Sequence, residues 1–263
     1  MDDPGLYGAS FADVYDRWYP GGDEDELCEF VRTRVPAGSH LVELGVGTGR
    51  VALRLAGSDY RVTGVDSSPE MLERLAEKDP TRSVRSLQAD AGGPAWHEAI
   101  GSGSADAVIA ACNLLLNLVS DGAQQGCVLG AAEALRPGGL LVCELSRLGS
   151  PDDRRRRGPS TATARVGTDA TTVVVESEAD PLTGIVEGRH VETRDGRAVR
   201  GRPWRIRLLD PDGLDRLCAR AGLVPRGRFA GWSSRVATAS DPVVVAVYRR
   251  SGVGGSRVGL HRT

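Results

Sequence analysis

The sequence predicts an α/β fold: a mostly parallel sheet of seven strands with helices on both faces, interrupted by an antiparallel β insertion. Three observations predict it. Between residues 40 and 145 short apolar runs alternate with segments of helical period, the pattern of repeated βαβ units. The runs are nearly continuously apolar, as strands covered on both faces must be. From about residue 161 the period changes to two, with turn residues between the runs.

In chain order, Phe11 to Pro20 reads as a first helix rich in aromatics. His40 to Leu44 is strand one, and the next helix carries Val51, Leu53 and Leu55. Arg61 to Val65 is strand two; Ser68, Pro69 and Glu70 then open a helix with an N-cap and a first-turn proline, burying Met71, Leu72 and Leu75. Val84 to Gln88 and Ala107 to Ala111 are strands three and four. Asp121 is expected to cap a helix of Val128, Leu129, Ala132 and Leu135, which ends at Pro137-Gly138-Gly139 before strand five, Leu140 to Leu145. The insertion reads as strands at Thr171 to Ser177, Gly184 to Thr193 and Trp204 to Leu209, with turns at 180–184 and 194–196. Asp210-Pro211 opens a last helix presenting Leu214, Leu217, Cys218 and Ala221, stopped by Gly222. Val224 to Trp232 and Val243 to Tyr248 complete the sheet.

The expected organisation is a core over 1–148 with the aromatic helix, an insertion over 161–209, the rest of the core over 210–250, and a tail over 251–263. The arginine-rich stretch Asp152 to Pro159 and the glycine-rich tail Ser251 to Thr263 lack apolar periodicity and are expected to be mobile.

Composition narrows the partners. A net charge of −2 gives no general attraction to a polyanion, so nucleic acid is not expected. No apolar run approaches the roughly 20 residues needed to span a bilayer, so no membrane partner is expected. Cys28, Cys112, Cys127, Cys143 and Cys218 are widely spaced and read as buried thiols of a cytoplasmic protein. No Cys/His cluster has metal-ligand spacing, so no metal is expected. A homodimer is compatible with the sequence.

Chemistry concentrates at strand ends. Glu43-Leu44-Gly45-Val46-Gly47-Thr48-Gly49 removes every second Cβ where a strand turns into a helix, so a nucleotide-like ligand can lie against bare backbone. Asp66, ending strand two, can accept both ribose hydroxyls, and Asp90, ending strand three, can accept an adenine amino group beside the Ala91 amide. Ser67 and Met71 can flank the adenosine. The dinucleotide fingerprint G-x-G-x-x-G fails, because position 50 is arginine.

The seven-residue loop instead resembles motif I of class I S-adenosylmethionine (SAM) dependent methyltransferases, and the resemblance implies a Rossmann-like fold with SAM as cofactor. It implies that Glu43, Gly45, Gly47, Thr48 and Gly49 hold the methionine portion. Cys112-Asn113-Leu114-Leu115-Leu116-Asn117-Leu118 is similar to the Phe-Asn-Thr-Leu-Phe-Asn-Leu loop of bacterial small-molecule methyltransferases, which passes beneath the transferred methyl. Cys112 and Asn113 are thereby cofactor candidates; Asn113 reads equally as a loop cap. Cys112 stands where that pattern has an aromatic. No Asp/Asn-Pro-Pro-aromatic sequence is present, and no proline precedes Cys112, which argues against nucleic-acid methylation.

Tyr15, Trp18 and Tyr19 resemble the Tyr-Asp-x-Trp-Tyr helix that folds over SAM in this family, where aromatic faces favour a sulfonium; they read equally as helix-docking residues. The insertion resembles the lid of aminosugar N-methyltransferases and related natural-product enzymes. Trp204 and Arg207 of the insertion, Trp18, Asn117 and Trp232 are the substrate-binding candidates. Tyr15, Tyr19 and His190 are the candidate bases. The expected reaction is methyl transfer to a nitrogen or oxygen of a small molecule of secondary metabolism. Aminocarboxypropyl transfer, cyclisation, or SAM binding without catalysis remain open.

Overall fold

The computed structural model describes residues 4–93, 96–147, 160–165, 172–180, 182–194 and 197–252. Among these the strands form two sheets. The larger has seven strands in the order β10-β11-β5-β4-β1-β2-β3. They are β1 (His40–Leu44), β2 (Arg61–Asp66), β3 (Val84–Gln88), β4 (Ala105–Ala110), β5 (Leu135–Ser146), β10 (Leu223–Ala230) and β11 (Val243–Arg250). β1 pairs in parallel with β2 and β4, and β11 lies antiparallel between β5 and β10. Strand order reverses at β1 and β4, so the loops after them flank the crevice in which such sheets bind ligands.

Apolar residues on both faces build two cores. One holds Val42, Leu44, Val108 and Leu141 with helix α8 (Ala123–Ala134) and helix α9 (Pro211–Arg220); the other holds Leu41, Ile109 and Val245 with helix α3 (Glu24–Arg32) and helix α4 (Arg50–Ala56). Helix α5 (Pro69–Lys78) starts as its sequence requires: the Ser68 hydroxyl accepts the Met71 N–H at 3.2 Å, ahead of Pro69. Asp210 caps α9 in the same way, accepting the Gly213 N–H at 2.6 Å.

Several expectations need correction. The N-terminal aromatics form two short helices, α1 (Leu6–Phe11) and α2 (Tyr15–Trp18), in place of one. α3 was not expected, although Leu27, Phe30 and Val31 make an apolar face behind the acidic first turn Glu24-Asp25-Glu26. Asp121 does not cap α8. Gly122, with φ +77°, occupies the cap position, and Asp121 accepts from Arg207 at 2.8 Å instead. α8 ends at Ala134, and Pro137-Gly138-Gly139 lies within β5, where Gly138 has φ +83°. Of the cysteines, Cys127, Cys143 and Cys218 are buried, Cys28 is half-buried and Cys112 is exposed.

The smaller sheet is antiparallel in the order β6-β7-β8-β9: β6 (Ser160–Arg165), β7 (Thr172–Ala179), β8 (Ile185–Arg194) and β9 (Arg197–Arg207). It has one more strand than the sequence suggests, and β9 begins seven residues before Trp204. The expected mobile stretch 152–159, most of the tail 251–263, and parts of the turns at 180–184 and 194–196 lie outside the described residues. No helix among the described residues is long and apolar enough to cross a membrane.

Candidate active site

The first turn after β1 is built to bring backbone close to a ligand. Gly45, Gly47 and Gly49 have φ of +67°, +54° and +82°, all in the left-handed region. A Cβ at Gly45 would fall 2.6 Å from Leu114 Cδ1, and one at Gly49 2.2 Å from Leu75 Cδ1. A Cβ at Gly47 would make only ordinary van der Waals contact, 3.9 Å from the Gly45 carbonyl oxygen and 4.0 Å from Met71 Sδ. Its N–H donates to Asp66 Oδ2 at 2.8 Å, which fixes the loop against the end of β2.

A cavity of about 350 Å³ opens above this turn. Gly45, Gly47, Asp66, Ser67, Asp90 and Ala91 line it from the strand ends, Met71 from α5, and Cys112 and Asn117 from the segment after β4, Asn117 ending a short helix there. Pro4, Leu6, Tyr7, Gly8 and Tyr15 close it from the N-terminal segment, and Trp204 and Arg205 from β9. α1 lies close to α5: a Cβ at Gly8 would fall 2.2 Å from Ser68 Cβ. Ser67 fastens the same segment by donating to the Pro4 carbonyl at 2.9 Å.

Several groups here are held away from their ordinary ionisation. Burial lifts Asp66, while the N–H groups of Ser68, Gly47 and Ser67 oppose the rise. Asp90 accepts the Gly92 N–H at 2.8 Å. Although Cys112 is an exposed residue, desolvation of its thiol at the cavity wall pushes it up to about 12; Glu144 adds to the rise and Arg50 opposes it. Cys112 has φ +51°, donates its N–H to Glu144 Oε2 at 2.9 Å, and its sulfur lies 3.2 Å from the Arg50 guanidinium. Burial raises Tyr15, as do Cys112, Tyr19 and Glu43, while Arg50 lowers it; the phenol therefore keeps its proton at neutral pH.

Other candidates stand behind the cavity wall. Glu43 is buried, its Oε2 has no partner, and burial lifts it to about 8. Thr48 is buried and donates to Asp16 at 2.6 Å, so it anchors α2. Asn113 bridges to Ser146, its side-chain amide donating to the hydroxyl at 2.9 Å and its oxygen accepting the Ser146 N–H at 2.7 Å. This joins the ends of β4 and β5 in the loop-capping manner. Tyr19 leans on Tyr15 with ring centroids 5.1 Å apart. Trp232 packs edge-on against Phe30 in the core. Arg207 donates to the Val119 carbonyl at 2.7 Å and to Asp121, pinning β9 to the loop before α8.

His190 and Trp18 do not line this cavity either. His190 sits among the rings of Phe11, Trp18 and Trp204 at 5.2, 5.8 and 6.1 Å, with Nδ1 buried and unpartnered. Burial and the nearby Arg202 lower its pKa. Sequence reasoning missed Tyr7 and Arg202. Tyr7 had a signal, an aromatic one helical turn before Phe11 on which its ring stacks at 4.6 Å. Arg202 had none, because all its partners are remote or on another strand.

Comparison with known proteins agrees with this geometry. A family described as a methyltransferase domain matches residues 41–139, which hold the glycine turn, Asp66, Asp90 and the loop after β4. The CcbJ methyltransferase from Streptomyces caelestis is 32% identical and superposes with a TM-score of 0.84, over 95% of this chain and 100% of that one. SAM-bound CalS10 of Micromonospora echinaspora, an amino pentose methyltransferase involved in calicheamicin biosynthesis, shares the fold at 19% identity, with a TM-score of 0.60 over 94% and 92% of the two chains. The curated Bacillus subtilis (strain 168) protein YqeM is 28% identical over 137 residues, 51% of this chain; the match spans about half, 53%, of that relative's length. With nearly the whole chain aligned to one methyltransferase, and the domain match lying on the glycine turn and its strand-end carboxylates, the chain belongs to the class I SAM-dependent methyltransferases.

Proposed function

We propose that the protein transfers a methyl group from SAM to a nitrogen or oxygen of a small-molecule acceptor of secondary metabolism. One observation supports this most directly: a single covered cavity reaches from the glycine turn and the carboxylates of β2 and β3 to Asn117 and to Trp204 of the insertion. A cavity of about 350 Å³ beneath two covering elements suits small molecules, and the net charge of −2 offers no field for a polyanion.

The residues present fit the cofactor. The backbone of Gly45 and Gly47, which lines the cavity, suits the methionine portion with its ammonium and carboxylate, and Glu43 with its unpartnered oxygen stands behind this turn. Asp66 and Asp90 suit the ribose hydroxyls and the adenine amine. When bound, SAM supplies a methyl group already activated on a sulfonium. The remaining task of the chain is to align the acceptor and exclude water. Tyr7 and Tyr15, both shifted upward, serve as protonated donors and as aromatic faces toward positive charge. With Tyr19 and His190 behind the wall and Tyr15 protonated, the acceptor enters with its own lone pair, as a neutral amine does.

The test is direct. Isothermal titration should detect SAM binding, and incubation with a panel of amines and alcohols should yield S-adenosylhomocysteine and a methylated acceptor. Methylthioadenosine as the product would replace methyl transfer with aminocarboxypropyl transfer or cyclisation. Tight binding without turnover across the panel would leave a SAM-binding module.

A further inference from the structure

Arg202 is 2% exposed, yet it lies on β9 between the exposed Arg200 and the half-buried Trp204. Its terminal nitrogens reach out of the sheet, while Nε stays on the neighbouring strand. Nη1 and Nη2 donate to Asp13 Oδ1 and Oδ2 at 2.6 and 3.0 Å, Nη1 also to the Ser10 carbonyl, and Nε to Glu192 on β8 at 2.5 Å. Arg200 donates to the same Asp13 at 2.8 Å. The guanidinium stands 5.2 Å from the Trp18 ring. Beside it Phe11, Val14 and Trp18 of the N-terminal segment pack with Val173 of β7 and Trp204 of β9, a third apolar core apart from the two that flank the seven-stranded sheet. Met71 is its one buried member from that sheet's helices.

We propose that Arg202 is a positioning residue that locks the N-terminal segment and the β insertion into one cover, which admits and releases the cofactor as a unit. The inference rests on the reading that the cavity holds SAM. A bidentate guanidinium–carboxylate pair whose guanidinium is buried does not open readily, although Asp13 itself is 42% exposed, because opening strands the buried charge of Arg202. Against the core, the insertion end of the cover is held by Arg207 on Val119 and Asp121 and by Gln124 on the Arg207 carbonyl, and the contacts along α5 are weaker. Asp16 meets Thr48 and the partly exposed Lys78, and Ser67 makes a single bond to Pro4. Gly21 and Gly22, with φ +83° and +140°, join α2 to α3 and supply a joint on which the segment can turn. The seam that parts is therefore the one against α5, and the Arg202 seam stays shut. Both covering elements line the cavity, so loss of the lock exposes bound cofactor from two sides.

The test is the dissociation rate of S-adenosylhomocysteine from the whole protein, followed by tryptophan fluorescence. Variants are Asp13→Asn, Arg202→Lys, Arg202→Met and the double variant Asp13→Asn/Arg202→Met. Each of Asp13→Asn and Arg202→Met is expected to speed release by about tenfold. The double variant should release no faster than the faster single one, because both cut the same lock. Arg202→Lys should recover part of the loss. Wild-type release from Asp13→Asn and Arg202→Met, or effects that multiply in the double variant, would overturn the proposal. A merely structural arginine would lower the melting temperature and the folded fraction while the folded fraction releases at the wild-type rate. If Arg202→Met does not fold, Asp13→Asn and Arg202→Lys decide. Wild-type protein that fails to bind the ligand at all would instead remove the cofactor reading.

Discussion

Asp66 holds the glycine turn through its own carboxylate: Oδ2 accepts the Gly47 N–H at 2.8 Å, and Oδ1 accepts the Ser68 N–H at 2.9 Å. The side chain proposed to hold the ribose thus also sets the backbone of the glycine turn. Asp66→Asn places an amide donor against one of these N–H groups, losing a charge-assisted bond worth about 1.5–3 kcal/mol. SAM affinity is expected to fall by about tenfold or more with a modest drop in melting temperature. Unaltered affinity by isothermal titration would remove Asp66 from the site.

The three glycines are not equivalent. Alanine at Gly45 or Gly49 adds a clash with Leu114 or Leu75 to the left-handed strain, whereas alanine at Gly47 adds strain alone, about 1–2 kcal/mol. Gly47→Ala should therefore fold and lose SAM binding, while Gly45→Ala and Gly49→Ala lose several degrees more of melting temperature. Thermal melts with and without SAM check this; equal melting temperatures for the three variants would contradict the contact geometry.

Features written in local chemistry were legible in the sequence, and those written in remote contacts were not. Ser68-Pro69 and Asp210-Pro211 start α5 and α9 where expected, because a cap needs only a side chain and the N–H three residues on. Asp121 has the same cap-forming chemistry but turns to Arg207, 86 residues away, and leaves the cap position to Gly122. The glycine turn, Asp66 and Asp90 were readable because strand ends place them. Asn113, Thr48 and His190 were readable as residue types but not as orientations: their partners Ser146, Asp16 and the aromatic cluster come from other parts of the chain.

Cys112 is the exposed cysteine of the five, yet its thiol is pushed up to about 12. At pH 8 the reactive thiolate is then scarce. Alkylation by iodoacetamide should be slow and rise about tenfold per pH unit across the alkaline range without a plateau near the usual thiol pKa. S-adenosylhomocysteine should protect it, since Cys112 lines the cavity. Mass spectrometry of the peptide reports both; fast labelling at pH 7 would show that the thiol is not so held.

His190 lies behind Trp204 in the cover's apolar core, with a lowered pKa and rings on three sides. A general base contributes about 100-fold or more to a rate. His190→Phe keeps the aromatic packing and is expected to hold kcat within about threefold of wild type, with the pH profile unchanged. A 100-fold loss together with a vanished acid limb would return His190 to the chemistry.

Glu43 makes stability depend on pH in a direction that can be worked out. Burial lifts its carboxyl to about 8 from an ordinary 4.5; Arg50 opposes the rise and Asp66 adds to it. The folded state keeps the proton where the unfolded chain has lost it. The stabilising contribution is therefore complete below about 4.5 and is lost as pH rises through about 8. Between pH 5 and 9 the ligand-free protein should lose on the order of 3 kcal/mol from this group. Glu43→Gln imitates the protonated acid, so it should fold as well as wild type near pH 5 and be the more stable of the two at pH 9. Urea unfolding across that range measures the difference, and a wild-type curve parallel to that of the variant would mean that Glu43 is ionised in the folded protein.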